Sequence, residues 1–203
     1  MITQRFIVAG QPFSKLTWIA LFLTTDRSLC HCEPRLFIAH ASELKEKLSG
    51  SFYTHLGAAG VNLSFFLKQI QEDLQPRILI VEREPQDIDK LVLAKGMPLT
   101  NYQYLLDQAL SALPCAENVL RVPFEALGAK RTLQRLFMHC LPGIAFDEVR
   151  CELFRAMWID HDAVDLAQNA QRYNDAYNKL CAQILPLIQA RPLPVAQTSM
   201  VKH

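Results

Sequence analysis

Neither sign of charge is in excess: Lys and Arg total 21 against 20 for Asp and Glu. That balance gives the whole chain no pull toward a polyanion, so no nucleic-acid partner is expected, although a local basic pocket is compatible with it. Long hydrophobic runs are missing as well. FIVAG (6–10) and WIALFL (18–23) are apolar stretches near the N-terminus, and both are far too short for a signal-peptide core or a bilayer span. The expectation is no membrane and a cytoplasmic location. Low-complexity tracts are absent, and 50% hydrophobic with 20% charged residues is an ordinary globular composition. A disulfide framework is absent too. Cys30, Cys32, Cys115, Cys140, Cys151 and Cys181 are scattered, mostly through apolar segments, and read as free buried thiols in a reducing compartment. The CHC unit at 30–32 has donor types suited to zinc. Without a matching second pair it reads as buried strand cysteines, and no metal is expected.

What is present is an alternation. RFIVAG (5–10), SLCHCE (28–33), RILIV (77–81) and NVLRVP (118–123) read as short strands. In SLCHCE, Cys30 and Cys32 fall on one face and His31 on the other, and Pro34 ends the strand. TWIALFLTT (17–25), ASELKEKLSG (41–50), NLSFFLKQIQEDLQ (62–75), PQDIDKLVLAKG (85–96), TNYQYLLDQALSAL (100–113) and the segment from about 130 to 140 read as helices. Asn62 is placed to cap its helix, and Pro76 to stop it. FYTHLGAAG (52–60), broken by Gly57 and Gly60, reads as a loop with a helical turn. Short strands alternating with helices predict an α/β domain, three layers with a mainly parallel sheet of the P-loop type. From Phe146 onward the pattern is helical, with Leu166, Ala170, Tyr173, Tyr177, Leu180, Ile184 and Leu187 on one stripe. One domain over residues 1–190 and a flexible tail over 191–203 are expected.

GQPFSKLTWI (10–19) joins the first strand to the first helix. A phosphate loop at that place works because backbone N–H groups and the helix N-terminus converge on one concavity, assisted by a hydroxyl and a cation. The triphosphate pattern needs a second glycine followed by Lys and Ser or Thr. Here no second glycine follows Gly10, Lys15 comes one place early and Leu16 separates it from Thr17. The alternative is a plain helix start in which Ser14 and Thr17 serve as capping residues and Lys15 is solvated.

The same stretch resembles the 5'-phosphosulfate loop of the sulfotransferase family, G-x-P-[RK]-S-G-T-T-W-L. Gly10, Pro12, Ser14, Thr17, Trp18 and Ile19 match in order, while Phe13, Lys15 and Leu16 depart. IVEREPQDIDKL (80–91) is similar to that family's 3'-phosphate segment through Arg83, Pro85 and Asp87, with Gln86 and Leu91 departing. Phe124, Glu125 and Leu127 resemble its later [YF]-E-x-L segment, and CHCEP (30–34) resembles a H-E-P-like stretch.

The resemblance implies a sulfotransferase-like fold, the donor 3'-phosphoadenosine 5'-phosphosulfate (PAPS), and transfer of a sulfuryl group to a hydroxyl or amine without a required metal. It assigns Gly10, Ser14, Lys15 and Thr17 to the 5' end of the donor and Arg83 to the 3'-phosphate. Lys15 would replace the basic charge absent at Phe13. His31 and Glu33, near the end of a strand, come first as the general base, and His55 second. The acceptor, a small molecule or a peptide, is not legible. Two other readings stand beside this one. A catalytically inactive member could use the exposed side of its C-terminal helix or of the 100–113 helix for protein contact, and a homodimer is compatible with that. A kinase would use Glu82 to hold magnesium. Arg83 also reads as a surface ion-pair residue beside Glu82 and Glu84.

Overall fold

The computed structural model describes residues 3–32, 41–49, 53–94 and 118–156, with the single positions 104, 107, 108, 111 and 182. All but Ala156 and the last of these fall in one compact unit, Met1–Arg155. The predicted 100–113 helix, except those few positions, and the predicted C-terminal helix beyond Ala156 lie outside the described residues.

Five strands form one sheet: β1 (Gln4–Gly10), β2 (Ser28–Cys32), β3 (His55–Ala59), β4 (Arg77–Glu82) and β5 (Val119–Pro123). Their order is β2-β3-β1-β4-β5, and every neighbouring pair is parallel. Parallel pairs need crossovers. The helices α1 (Leu16–Phe22), α2 (Ala41–Lys47), α3 (Leu67–Leu74), α4 (Pro85–Ala94), α5 (Lys130–Cys140) and α6 (Glu148–Ala156) follow the strands in that alternation. The α/β class read from the sequence is the class observed.

Strand position explains strand composition. All five residues of β3 are buried, as are five in a row of β1 and four of β4, whereas the edge strands β2 and β5 alternate. A central parallel strand is covered on both faces and is therefore apolar throughout. One face carries Ile7, Ala9, Leu56, Ala58, Ile78 and Ile80, packed against Leu44 of α2, Leu48 just past its end, and Leu67, Ile70 and Leu74 of α3. On the other face an aromatic cluster joins three helices: Phe22 of α1 lies 5.0 Å from Phe154 of α6 and 5.8 Å from Phe137 of α5, ring centre to ring centre. Edge-to-face pairs of this kind add about 0.5–1.5 kcal/mol each beyond their burial.

β3 corrects the sequence reading, which placed a loop there. Gly57 pairs with Phe6 across the ladder, and a Cβ at Gly57 would sit 2.1 Å from a Phe6 ring carbon. The glycine makes room for that ring in a buried strand; it does not break one. Asn62 also differs from expectation. It opens a 3-10 turn, Asn62–Phe66, without a side-chain cap, and the α-helix begins only at Leu67. Its far end is as read: Gln75, at φ 46°, donates its N–H to the Gln71 carbonyl before Pro76.

Candidate functional site

The chain order places a topological switch at β1. The connection from β1 leads to β2 on one side, whereas β4 lies on the other, and ligands of open α/β sheets bind at the carboxyl edge where the order reverses. The loop from Gln11 to Lys15 leaves β1 at that edge, next to the end of β4. Gly10 pairs with Val81, and a Cβ there would stand 2.7 Å from the Val81 carbonyl oxygen. Gly10 therefore sets the close approach of β1 and β4 beneath the loop.

The loop holds two left-handed residues that are not glycine, Phe13 (φ 62°) and Lys15 (φ 54°). Each costs roughly 1–2 kcal/mol for an L-residue. Lys15 stands where the phosphosulfate-loop pattern it resembles has glycine, and it nonetheless takes the glycine-like conformation. It is also the N-cap residue of α1, its carbonyl accepting from the Ile19 N–H at 3.0 Å, with no side-chain capping bond.

Ser14 is buried to 1% exposure, and its Oγ has no hydrogen-bond partner among the described residues. Its N–H closes a turn on the Gln11 carbonyl at 3.3 Å. The capped-helix reading of Ser14 therefore fails: the hydroxyl caps nothing. Leaving a buried hydroxyl unmet costs about 1–3 kcal/mol, so this loop carries local strain and an unmet polar group together. Strain of this type clusters at ligand sites.

Arg83, one residue past β4, reaches back into the loop. Its Nη1 donates to the Phe13 carbonyl at 2.9 Å, and its backbone N–H donates to Gln11 Oε1 at 3.0 Å. Its guanidinium lies 4.0 Å above the ring centre of Phe124, which is buried. Glu82, expected beside it as an ion-pair partner or a magnesium ligand, accepts instead from Arg121 Nε at 2.8 Å. Among the described residues no three His, Cys, Asp or Glu side chains gather as a metal site.

Thr17 stays beside the loop, and the remaining sequence candidates scatter. Thr17 is exposed in the first turn of α1. His31 pairs with Ala58 on β2, the edge strand two positions from β1, about 10 Å away by strand spacing. Ala58 belongs to the aliphatic face, whereas Leu16 of α1 packs over Gly10 on the opposite face. Burial lowers the His31 pKa, with Lys47 adding to the effect. Glu33 lies outside the described residues. His55 begins β3 and pairs with Gln4, six residues and roughly 20 Å along β1 from Gly10. It sits at the opposite edge of the sheet from the loop. Its Nε2 donates to the Pro142 carbonyl at 3.1 Å and its Nδ1 lies 2.9 Å from Thr54 Oγ1; burial lowers its pKa against that carbonyl's pull. Of the sequence candidates, the loop edge thus collects Gly10, Ser14, Lys15 and Arg83, without His31 or His55.

Two residues escaped sequence reasoning. Gln11, 2% exposed, ties the loop to Arg83. Arg150, 5% exposed, seals the other end of α1: its Nε donates to Phe22 O at 3.1 Å and its Nη2 to Leu21 O and Thr24 O, each at 2.5 Å. Burial pushes its pKa down to about 10, opposed by Asp147. No sequence pattern announces either, because the partners lie 72 and 126 to 129 residues away. The thiols of Cys30, Cys140 and Cys151 are buried and free, and burial raises all three pKa values, which leaves them protonated and poor nucleophiles. Cys32 is half-buried, and Cys115 and Cys181 lie outside the described residues. No helix among the described residues is long and apolar enough to cross a membrane.

No family model matches the sequence, nor does any curated protein. Among solved structures, the mouse sulfotransferase SULT7A1 complexed with PAP is similar, with a TM-score of 0.55 at 12% identity, over 81% of this chain and 70% of that one. At that identity the likeness is one of fold. The described residues of this chain form a sulfotransferase-like α/β fold.

Proposed function

We propose that the β1 loop binds the 5' end of a 3'-phosphoadenosine nucleotide and that the protein is a sulfotransferase-like transferase using PAPS. The observation that carries this reading is Ser14 Oγ, a buried hydroxyl without a partner among the described residues, in a left-handed loop at the switch point of the sheet. Support comes also from the likeness of fold to a sulfotransferase whose structure holds PAP. When bound, such a donor supplies a sulfuryl group for a hydroxyl or amine acceptor. Ser14 would donate its hydroxyl proton to a donor oxygen, meeting a need that the protein alone leaves open. Lys15 would supply the cation, in place of the basic side chain that Phe13 does not provide. Preorganised donors and charge of this kind are what developing anionic charge requires.

A second reading is a sulfotransferase-fold protein that transfers nothing and acts through protein contact. It is favoured by the placement of His55 at the far edge of the sheet and of His31 on the face opposite α1. Thermal shift with adenosine 3',5'-bisphosphate, compared with ATP and magnesium, separates the readings. Stabilisation by the bisphosphate, weakened by Ser14→Ala and by Lys15→Ala, is the expected result. No response at millimolar ligand would overturn the donor site in favour of the contact protein. A response to ATP with magnesium alone would revive a phosphoryl-transfer enzyme.

A further inference from the structure

We propose that Arg83 is a positioning residue that braces the left-handed β1 loop, rather than a ligand of the nucleotide's 3'-phosphate. The role in ligand binding rests on the nucleotide reading above; the bracing itself does not.

Three contacts carry it. Nη1 is committed to the Phe13 carbonyl, at the residue whose φ is 62°. The backbone N–H is committed to Gln11 Oε1, at the loop's other limb. The flat face of the guanidinium lies on Phe124. An arginine that recognises phosphate presents its planar fork to the ligand; here part of the fork and one face are already used inside the protein. Nε, like Ser14 Oγ, is buried without a partner among the described residues, and the contacts with the Phe13 carbonyl and the Phe124 ring hold the group in place. The ion-pair alternative with Glu82 loses its ground, because that carboxylate accepts from Arg121.

The bracing has a direction. Phe13 and Lys15 lie in conformations that L-residues leave readily. A charge-assisted hydrogen bond on the Phe13 carbonyl, together with the Gln11 bond, ties both limbs of the loop to the end of β4. Gly10 makes the tie short by letting the β1 and β4 backbones approach. Without the brace the loop would relax, and every ligand of its amides and of Ser14 would lose affinity together.

The test has two arms on the full chain. In the first, amide hydrogen exchange compares wild type with Arg83→Gln and Arg83→Lys, without nucleotide. Exchange over residues 11–17 should quicken by about tenfold in Arg83→Gln, with β3 and α5 unchanged. Arg83→Lys, which keeps the charge and a donor long enough to reach the Phe13 carbonyl where the shorter, neutral glutamine does not, should recover part of the protection. Unchanged loop exchange in Arg83→Gln, or equal loss in both variants, would overturn the brace. In the second arm, adenosine 3',5'-bisphosphate and adenosine 5'-phosphate are titrated into each protein. A brace lowers both affinities by a similar factor, about tenfold, and keeps their ratio. Selective loss of the bisphosphate would overturn the proposal and restore Arg83 to the 3'-phosphate. If wild type binds neither nucleotide, the proposed function and this ligand role both fall, and the exchange arm still decides the brace.

Discussion

The two ends of α1 are built in opposite ways. At its C-terminal end a buried arginine crosses more than a hundred residues of sequence to meet three carbonyls, Leu21, Phe22 and Thr24. At its N-terminal end the cap residue is a left-handed lysine without a side-chain capping bond, and the neighbouring serine hydroxyl is buried and unmet. A helix needs partners at both ends. One end is sealed from within, while the other carries strain and an orphan hydroxyl, a contrast that supports the proposed ligand site at the loop. The far edge of the sheet repeats the sealed pattern, since His55 and His139 each set Nε2 against a backbone carbonyl, Pro142 and Ile78.

The sharpest way to break this comparison is Arg150→Ala. It removes the side-chain donor from the carbonyls of Leu21, Phe22 and Thr24 at the end of α1 and opens a gap beside Phe154, so urea unfolding should show a loss on the order of 3 kcal/mol. A loss no larger than that of a surface substitution would mean that the end is not sealed by this residue. Acid is the next lever. The pKa values of His31, His55 and His139 are lowered chiefly by burial. The unfolded chain therefore takes up protons first, near its ordinary 6.5, and stability present above that pH falls as the solution is acidified below it. Each group contributes a slope of at most about 1.4 kcal/mol per pH unit. Melting temperatures between pH 7.5 and 5 should decline, and less steeply in His139→Gln; a flat profile would contradict the sealed edge.

At the open end the expected signs reverse. Ser14→Ala removes an unmet buried hydroxyl and should stabilise the nucleotide-free protein by about 1 kcal/mol, while weakening adenosine 3',5'-bisphosphate. Destabilisation instead would show that Ser14 already has a structural partner. Lys15→Gly relieves the left-handed strain but gives the unfolded chain more entropy to lose on folding, so a net gain of roughly 0.5 kcal/mol is expected by thermal unfolding. Reduced stability there would mean that the lysine side chain contributes more to the fold than its backbone costs.

The strands with continuous apolar runs, RFIVAG and RILIV, were legible because burial on both faces leaves that signature. β3 was not, since a strand of small residues with a glycine opposite Phe6 carries the signals of a turn. At the site, Gly10, Ser14, Lys15 and Arg83 were named from their order along the chain. The contacts of two of them were not: Gly10 sets a strand separation and Arg83 grips a carbonyl. A strand that reads as a loop gives no direction along the sheet, so the sequence does not show that His55 lies at the edge away from the β1 loop.

By itself the sequence determined the alternation of apolar strands and amphipathic helices, and the position of a polar loop after the first strand, since periodicity and turn chemistry are local. Only the tertiary structure decided that Gln11 and Phe13 meet Arg83, that Arg150 closes α1, and that the two candidate histidines lie away from the loop. Those outcomes depend on strand order and register, which bring together groups 70 or more residues apart. No local pattern encodes which distant carbonyl a buried cation will find.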